Sequence, residues 1–487
     1  MRVAVPFVGV PVFVPSCHSA PILPSSLLIP GVTVVTLVCV VHSTGGDGLP
    51  TKTGEAGVKP VGFWEAFWFW VKLGFINFGG PAGQIAIMHR ELVEQKRWVS
   101  EGQYLRTLNF CMLLPGPEAQ QVATYIGWRL HGTLGGIVAG SFFVIPSIFV
   151  LLLLSWLAVA HSDVPAVRGL LYGVQPVVIA IVVEAVLRIG RRALNHVALV
   201  AFAVLAFVAL YFLAVPFPLV VVAAALGGVL LQRFVPDAFR GGGHGTSGEE
   251  EAALDQAPSG VRPSVLRNLR LLGTFVVLWA VPVGAVWIWR GGEDVLFREA
   301  LFFTGAAFVT FGGAYAVLSY ISDVAVNQYG WLSADQMVQG LALAESTPGP
   351  LIMVTQYVGF IGAYNDPGPF DPLLYGTLGA AITTYATFLP CFLFIFLLAP
   401  YIELLANNQR LRAALTGVTA AVVGVIANLA VFFARRVLFP DGVSLEGLDA
   451  FALVVAVVSF GVLQRFKVPI YLMVPIGALL GMVWTLL

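Results

Sequence analysis

The sequence predicts an all-α polytopic membrane protein made of two homologous halves, arranged as inverted-topology repeats with broken helices or helical hairpins. Three observations predict it. The 487 residues are 58% hydrophobic and only 11% charged, with a mean hydropathy of +0.88, where an ordinary soluble domain is about 25% charged. The apolar residues come in blocks, and 134–160 runs 27 residues without a charge, more than the roughly 20 needed to cross a bilayer. Finally, the chain matches itself when slid by 233 positions.

A backbone in lipid must satisfy its polar groups within the segment, so the spanning elements are helices. The ten-residue alternation of a β-barrel is missing. Lys+Arg and Asp+Glu number 26 each, so the net charge is zero and no nucleic-acid partner is indicated. Cys17, Cys39, Cys111 and Cys391 lie scattered in apolar settings without metal or redox spacing, and the seven histidines form no ligand motif. No cofactor or metal is expected. A membrane-embedded reductase would need a haem, flavin or CxxC signature, and none is present, so the chain does not read as an enzyme.

Taken in order, residues 1–60 form an N-terminal extension whose stretch 20–41 is apolar enough for one span. A cleaved signal peptide and a start codon placed too far upstream are the alternatives. The first repeat covers 61–232, with helices expected at 62–78 and 82–96, 101–113 and 118–130, then 133–158, 167–189, 196–214 and 218–232. A Gly-rich, charged linker follows at 233–268, and one extra spanning helix at 269–290. The second repeat covers 294–487, with later helices expected at 375–400, 410–434, 449–464 and 468–486.

The repeat rests on informative residue types. Phe78-Gly79-Gly80 falls on Phe311-Gly312-Gly313, Trp98 on Trp331, Ser100 on Ser333, and Gln103 on Gln336. Pro115-Gly116-Pro117 falls on Pro348-Gly349-Pro350. At an offset of 244, GTLG (132–135) matches GTLG (376–379), Pro146 matches Pro390, and Arg168 matches Arg412.

The helices beside each break are too short to span. Thirteen residues rise about 20 Å against a core of about 30 Å. If each short pair returns to its starting side, each half crosses four times. The extra helix then makes five crossings between equivalent points, which inverts the second half. The basic stretches 89–98, 188–196 and 407–412 fall on one face, the expected cytoplasmic side, while Arg435-Arg436 falls on the other.

A helix broken inside a membrane exposes backbone N–H groups and the positive end of its dipole. Helices starting at Pro117 and Pro350, with further breaks at Gly79-Gly80 and Gly312-Gly313, would aim four such ends inward. Four ends suit an oxyanion, and inverted repeats with broken helices are a layout of secondary transporters.

The doubled FGG and PGP motifs, FGGP at 78–81 and EAQQVATYIG at 118–127 resemble the chromate ion transporter family, in its long two-domain bacterial form. The resemblance covers nearly all of 60–487. It implies a multi-pass protein of the inner (plasma) membrane that exports chromate by alternating access, coupled to protons, and confers chromate resistance. Sulfate or another oxyanion is the alternative substrate, an anion channel the alternative mechanism, and a homodimer is compatible with the sequence. The expected anion site comprises Asn77, Gly79, Gly80 and Pro81; Pro115, Gly116, Pro117, Gln120 and Gln121; Gly312 and Gly313; and Pro348, Gly349, Pro350 and Gln356. Pro81 is replaced by Ala314 and Glu118 by Leu351, so the first half is expected to supply more of the polar chemistry.

Five charged residues are candidates for coupling or attraction. Glu118 reads as a proton carrier, or as a carboxylate placed favourably at a helix start. Glu345, near a helix end, needs a partner or a proton. Lys72 either attracts the anion or snorkels to an interface. Arg168 and Arg412 share a repeat position on opposite faces, as anchors or as gates. The glutamines either bind oxygen or glue helices together. Trp98 and Trp331 read as interfacial belt residues, and Glu184 with Arg188 as an i,i+4 pair.

Overall fold

The computed structural model describes residues 61–240 and 264–487, apart from positions 162, 407, 443, 445 and 467. The expected span at 20–41 and most of the linker lie outside the described residues. Among the described residues every regular element is a helix. The first half opens with α1 (Phe63–Ile76) and α2 (Gly80–His89), which runs into a π-helical turn (Arg90–Gln95). Then come α3 (Glu101–Cys111), α4 (Glu118–Phe142), α5 (Ile145–Ala160), α6 (Pro165–Ala193), α7 (Val197–Tyr211) and α8 (Phe217–Leu231). A short α9 (Asp237–Arg240) precedes α10 (Val265–Arg290).

The second half repeats the series with α11 (Val295–Val309), α12 (Ala314–Ser322), a π-helical turn (Asp323–Gln328) and α13 (Ala334–Ser346). A 3-10 turn (Leu351–Met353) leads into α14 (Val354–Asn365), and α15 (Pro372–Leu398) and a short α16 (Ile402–Ala406) follow. The chain finishes with α17 (Gln409–Leu438), α18 (Ala450–Phe466) and α19 (Ile470–Leu486). Among the described residues five stretches are long and apolar enough to cross a membrane: 118–160, α6, α10, 372–401 and α17. α7, α8, α18 and α19 are apolar but only 15 to 17 residues long, shorter than the usual span.

The short pairs are hairpins. In the first half Lys96 Nζ lies 3.7 Å from Glu65 Oε1, and His131 Nε2 lies 2.9 Å from the Val61 carbonyl. Both pairs therefore return to the face they started from. In the second half Asn365 donates to the Trp331 carbonyl at 3.0 Å, and the Tyr375 hydroxyl donates to Asp294 at 2.7 Å. That second face is opposite the first. Arg267 donates to the Phe396 carbonyl and Asn268 to the Tyr401 hydroxyl, each at 2.7 Å, so α10 and α15 run antiparallel from face to face. α16, beside the start of α10, packs on α3, which puts the first-half hairpins on the first face. The halves are inverted.

Local signals account for the hairpins. Ser100 and Ser333 each start a helix with a full capping box, closed by Gln103 and Gln336. The hairpin within α4 turns at His131 and Gly132, where Gly132 has φ +63. This matches the expected boundary between 130 and 133. A further break at Phe143–Val144 was not expected, because Pro146 opens a new helix there while its repeat mate Pro390 stays inside α15.

Trp98 and Trp331 do not form an interfacial belt. They are only 9% and 6% exposed, with ring centroids 4.9 Å from Phe69 and 5.7 Å from Phe302. The return of each π-helical turn folds them back under the hairpin. Arg435 and Arg436, on the second face, are both engaged. Arg436 pairs with Asp335 at 2.8 Å and Arg435 donates to the Tyr211 hydroxyl at 3.2 Å, so their charge is partly neutralised where it runs against the basic bias.

The long helices exchange partners between halves. α6 packs on α18 and α19, whereas α17 packs on α7 and α8. Glycines permit the close approach: a Cβ on Gly173 would strike the Gly477 carbonyl, and one on Gly417 would strike Ala224 and Gly228.

Candidate functional site

The four expected breaks come together, and they pair across the repeats. The Gly116 N–H donates to the Thr310 carbonyl at 2.8 Å, and the Gly349 N–H donates to the Asn77 carbonyl at 2.9 Å. Each PGP loop thus closes the end of the other half's first helix. Gly116 has φ +121 and Gly349 φ +110, conformations that L side chains rarely adopt. Space is tight as well. A Cβ on Gly116 would lie 3.0 Å from Cys391 Sγ, and a Cβ on Gly349 would lie 2.8 Å from Ser147 Cβ. Cys391 and Ser147 are themselves related by the 244-residue offset.

With the carbonyl ends of α1 and α11 satisfied, the helix starts face one another. A small cavity of about 10 Å³ is lined by Pro81 and Gln84, by Pro117, Glu118 and Ala119, by Ala314, and by Pro350 and Leu351. Those residues are the starts of α2, α4, α12 and the turn before α14. The helices at PGP begin at Glu118, the start of the expected range 118–130, and at Leu351, with Pro117 and Pro350 as their N-caps. At Gly79-Gly80 and Gly312-Gly313, positive φ at all four glycines turns the chain into α2 and α12. The cavity has room for about one water, so the four starts are closed on one another.

The polar side chains around the breaks fall into two groups. Asn77 and Gln120 are fully buried, and all four of their amide atoms lack a hydrogen-bond partner. Leaving such groups unpaired costs about 1–3 kcal/mol each, and a purely structural role supplies nothing in return. Gln121 and Gln356 are anchored instead. Gln121 Nε2 donates to the Pro115 carbonyl at 2.7 Å and Gln356 Nε2 to the Ile148 carbonyl at 2.8 Å, with Thr384 donating to Gln356 Oε1 at 3.3 Å. Gln356 thus ties α14 to α5.

The two carboxylates occupy matching places from non-matching positions. A Cβ on Gly313 would lie 3.9 Å from Glu118 Oε1, and a Cβ on Gly80 would lie 3.9 Å from Glu345 Oε2. Each carboxylate therefore stands at the start of a helix in the opposite half, where a negative charge is favoured. Glu118 is the first residue after PGP, whereas Glu345 lies three residues before it. The Tyr315 hydroxyl donates to Glu345 Oε1, while Oε2 has no partner. The expected Glu184–Arg188 pair forms at 3.4 Å and lies within electrostatic range of Glu345.

Gln84 and Tyr315 are additions to the expected site. The Gln84 amide donates to the Gly349 carbonyl, and Tyr315 holds Glu345. Both sit in the first turn or two after a double glycine, and polar groups there in an apolar helix were the available signal. Three other candidates stand apart from the cavity. Lys72 pairs with Glu91 at 3.1 Å, its own side chain 56% exposed. Arg168 and Arg412 are exposed near the starts of α6 and α17, on opposite faces as expected.

The chromate transporter family model matches residues 64–229 and again 297–482. A chromate transport protein of Pseudomonas aeruginosa is 32% identical over 388 residues, covering 79% of this chain and 84% of that protein. A probable chromate transport protein of Synechococcus elongatus is 28% identical over 419 residues, covering 85% of this chain and 94% of the relative. A chromate transport protein of Cupriavidus metallidurans is 28% identical over 418 residues, covering 85% and 91%. No solved structure matches the chain.

Proposed function

The chain belongs to the chromate transporter family, and we propose that it carries chromate across the cytoplasmic membrane, outward and coupled to protons. The observation that carries the proposal is the small cavity where four helix starts from both halves meet, with a carboxylate beside each double-glycine helix. Chromate is a tetrahedral dianion. Backbone N–H groups and helix dipoles offer it positive potential without a fixed counter-charge that would hold it too tightly to release.

The carboxylates give a basis for coupling. When ionised, Glu118 and Glu345 occupy the positive ends that the substrate needs and repel it. Protonation removes that competition, so a proton and the dianion bind together more readily than either alone and cross in the same direction. The net negative charge left on the pair is what the inside-negative membrane potential drives outward. Tyr315 holds one oxygen of Glu345 and leaves the other facing Gly80. Asn77 and Gln120 supply buried amides for the substrate oxygens. The closed cavity opens alternately to the two faces as one repeat rocks against the other, and the cross-repeat bonds at Gly116 and Gly349 join the two moving bodies. With the first face cytoplasmic, as its basic stretches require, loading from that face gives export.

Uptake of radiolabelled chromate and of sulfate into inside-out vesicles, each with and without an imposed proton gradient that is acid outside the vesicle, tests the proposal. Gradient-driven chromate accumulation that is lost in Glu118→Gln and in Glu345→Gln is the expected result. Sulfate accumulation without chromate would keep the mechanism and change the substrate, because a backbone cradle reads shape and charge alone. Equilibration without accumulation would replace the transporter by a channel.

A further inference from the structure

The first face carries a second anion-seeking feature, remote from the helix starts. A cleft of about 540 Å³ lies between the end of α8 and the start of α17, lined by Arg233, Arg410 and Arg412 together with Gln232 and Gln409. Its volume falls in the range of ligand pockets. No Asp or Glu lines it, and among the described residues none of the three arginines is ion-paired. Three like charges around one cleft repel one another unless an anion sits among them.

The repeat does not require this cluster. The equivalent junction on the second face joins the start of α6 to the end of α19. It offers Arg168 alone, since α19 holds no charged residue. The surroundings add a further constraint. Leu226, Leu230 and Phe234, on α8 and just beyond it, are 60%, 58% and 79% exposed, so an apolar strip runs along α8 towards the arginines.

We propose that this cleft is a binding site for a phosphate-bearing anion, which the arginines grip at the membrane boundary. Arginine clusters between transmembrane helices recognise anionic headgroups in this way, and planar guanidinium groups match phosphate oxygens in pairs. The same chemistry serves a phospholipid headgroup or free phosphate. The apolar strip suits acyl chains and makes the lipid the better fit.

The test uses the full-length purified protein and two probes. Native mass spectrometry measures phosphatidylglycerol retained after extraction from bilayers that contain it, and a thermal-shift titration measures inorganic phosphate. Wild-type protein is compared with Arg233→Gln, Arg410→Gln/Arg412→Gln and the opposite-face control Arg168→Gln, each checked for a monodisperse elution profile. Affinity is expected to fall about fivefold per arginine removed from the cleft, with Arg168→Gln unchanged. Loss confined to the lipid probe identifies a headgroup site, and loss confined to phosphate identifies a soluble ligand. Equal binding by wild type and both cleft variants, or an equal loss in Arg168→Gln, would overturn the proposal. Neither readout involves transport, so the outcome is independent of whether chromate is moved.

Discussion

Replacing Gly116 with alanine probes the junction between the repeats. At φ +121 an L side chain costs about 1–3 kcal/mol in backbone strain. The new Cβ would also lie 2.8 Å from Gln121 Nε2 and 3.0 Å from Cys391 Sγ, which adds about 1–3 kcal/mol of overpacking. The expected loss is therefore roughly 2–6 kcal/mol. Gly132→Ala is the matched control. Its φ is also positive, at +63 with ψ −157, but a Cβ there meets nothing within 4 Å, so only the backbone strain of about 1–3 kcal/mol is at stake. Denaturant titration of the purified variants in detergent measures the stabilities, and vesicle uptake measures the flux. Gly116→Ala should be clearly less stable than Gly132→Ala and should lose transport, and adding Cys391→Ala should recover part of the stability. Equal stability and equal flux in the two alanine variants would refute the claim that Gly116 is wedged between the halves.

Other variants separate structural from functional polarity. Gln120→Met removes two unpartnered buried atoms, so stability should rise by about 1 kcal/mol or more while chromate flux falls. A thermal melt beside an uptake assay checks this, and a destabilised variant with normal flux would remove Gln120 from the site. Lys72→Met leaves the nearly buried Glu91 without its partner and should cost about 1–3 kcal/mol, recovered by adding Glu91→Gln. Flux per folded molecule should not change, and a fall that persists in the double variant would return Lys72 to the anion path. Ser100→Ala and Ser333→Ala should each cost about 1 kcal/mol through the lost cap, read as faster amide exchange in the first turns of α3 and α13.

Much of this architecture was legible from the residues. The 233-residue offset located both hairpin pairs, because glycine and proline punctuate a chain locally and do so in both halves. The inversion followed from counting spans, and helix length is itself a local property. What the sequence withheld was pairing between distant elements. Nothing in the PGP motif says that Gly116 bonds to Thr310 of the other half, since that choice depends on how two packed bodies are placed. The repeat alignment also misled about charge. It set Glu118 over Leu351 and so suggested that the first half supplies more of the polar chemistry, whereas Glu345 reaches the matching place from before the motif. Position in space was preserved without position in the chain. The tryptophans erred in the same direction: flanking a hairpin looks the same in sequence whether the ring meets lipid or folds back against a phenylalanine.

The partner exchange of α6 and α17 bears on how the molecule is made. During synthesis α6 emerges long before α18 and α19, the helices that complete its surroundings, and its glycine-lined side at Gly173 must wait for Gly477 and Gly481 near the end of the chain. The first repeat therefore cannot mature by itself, and a chain that stopped before 470 would leave α6 uncovered on one side. A lone repeat of this design would face the same vacancy and could fill it only by interlocking with a second copy. Joining the two repeats in one polypeptide turns that search for a partner into an intramolecular step.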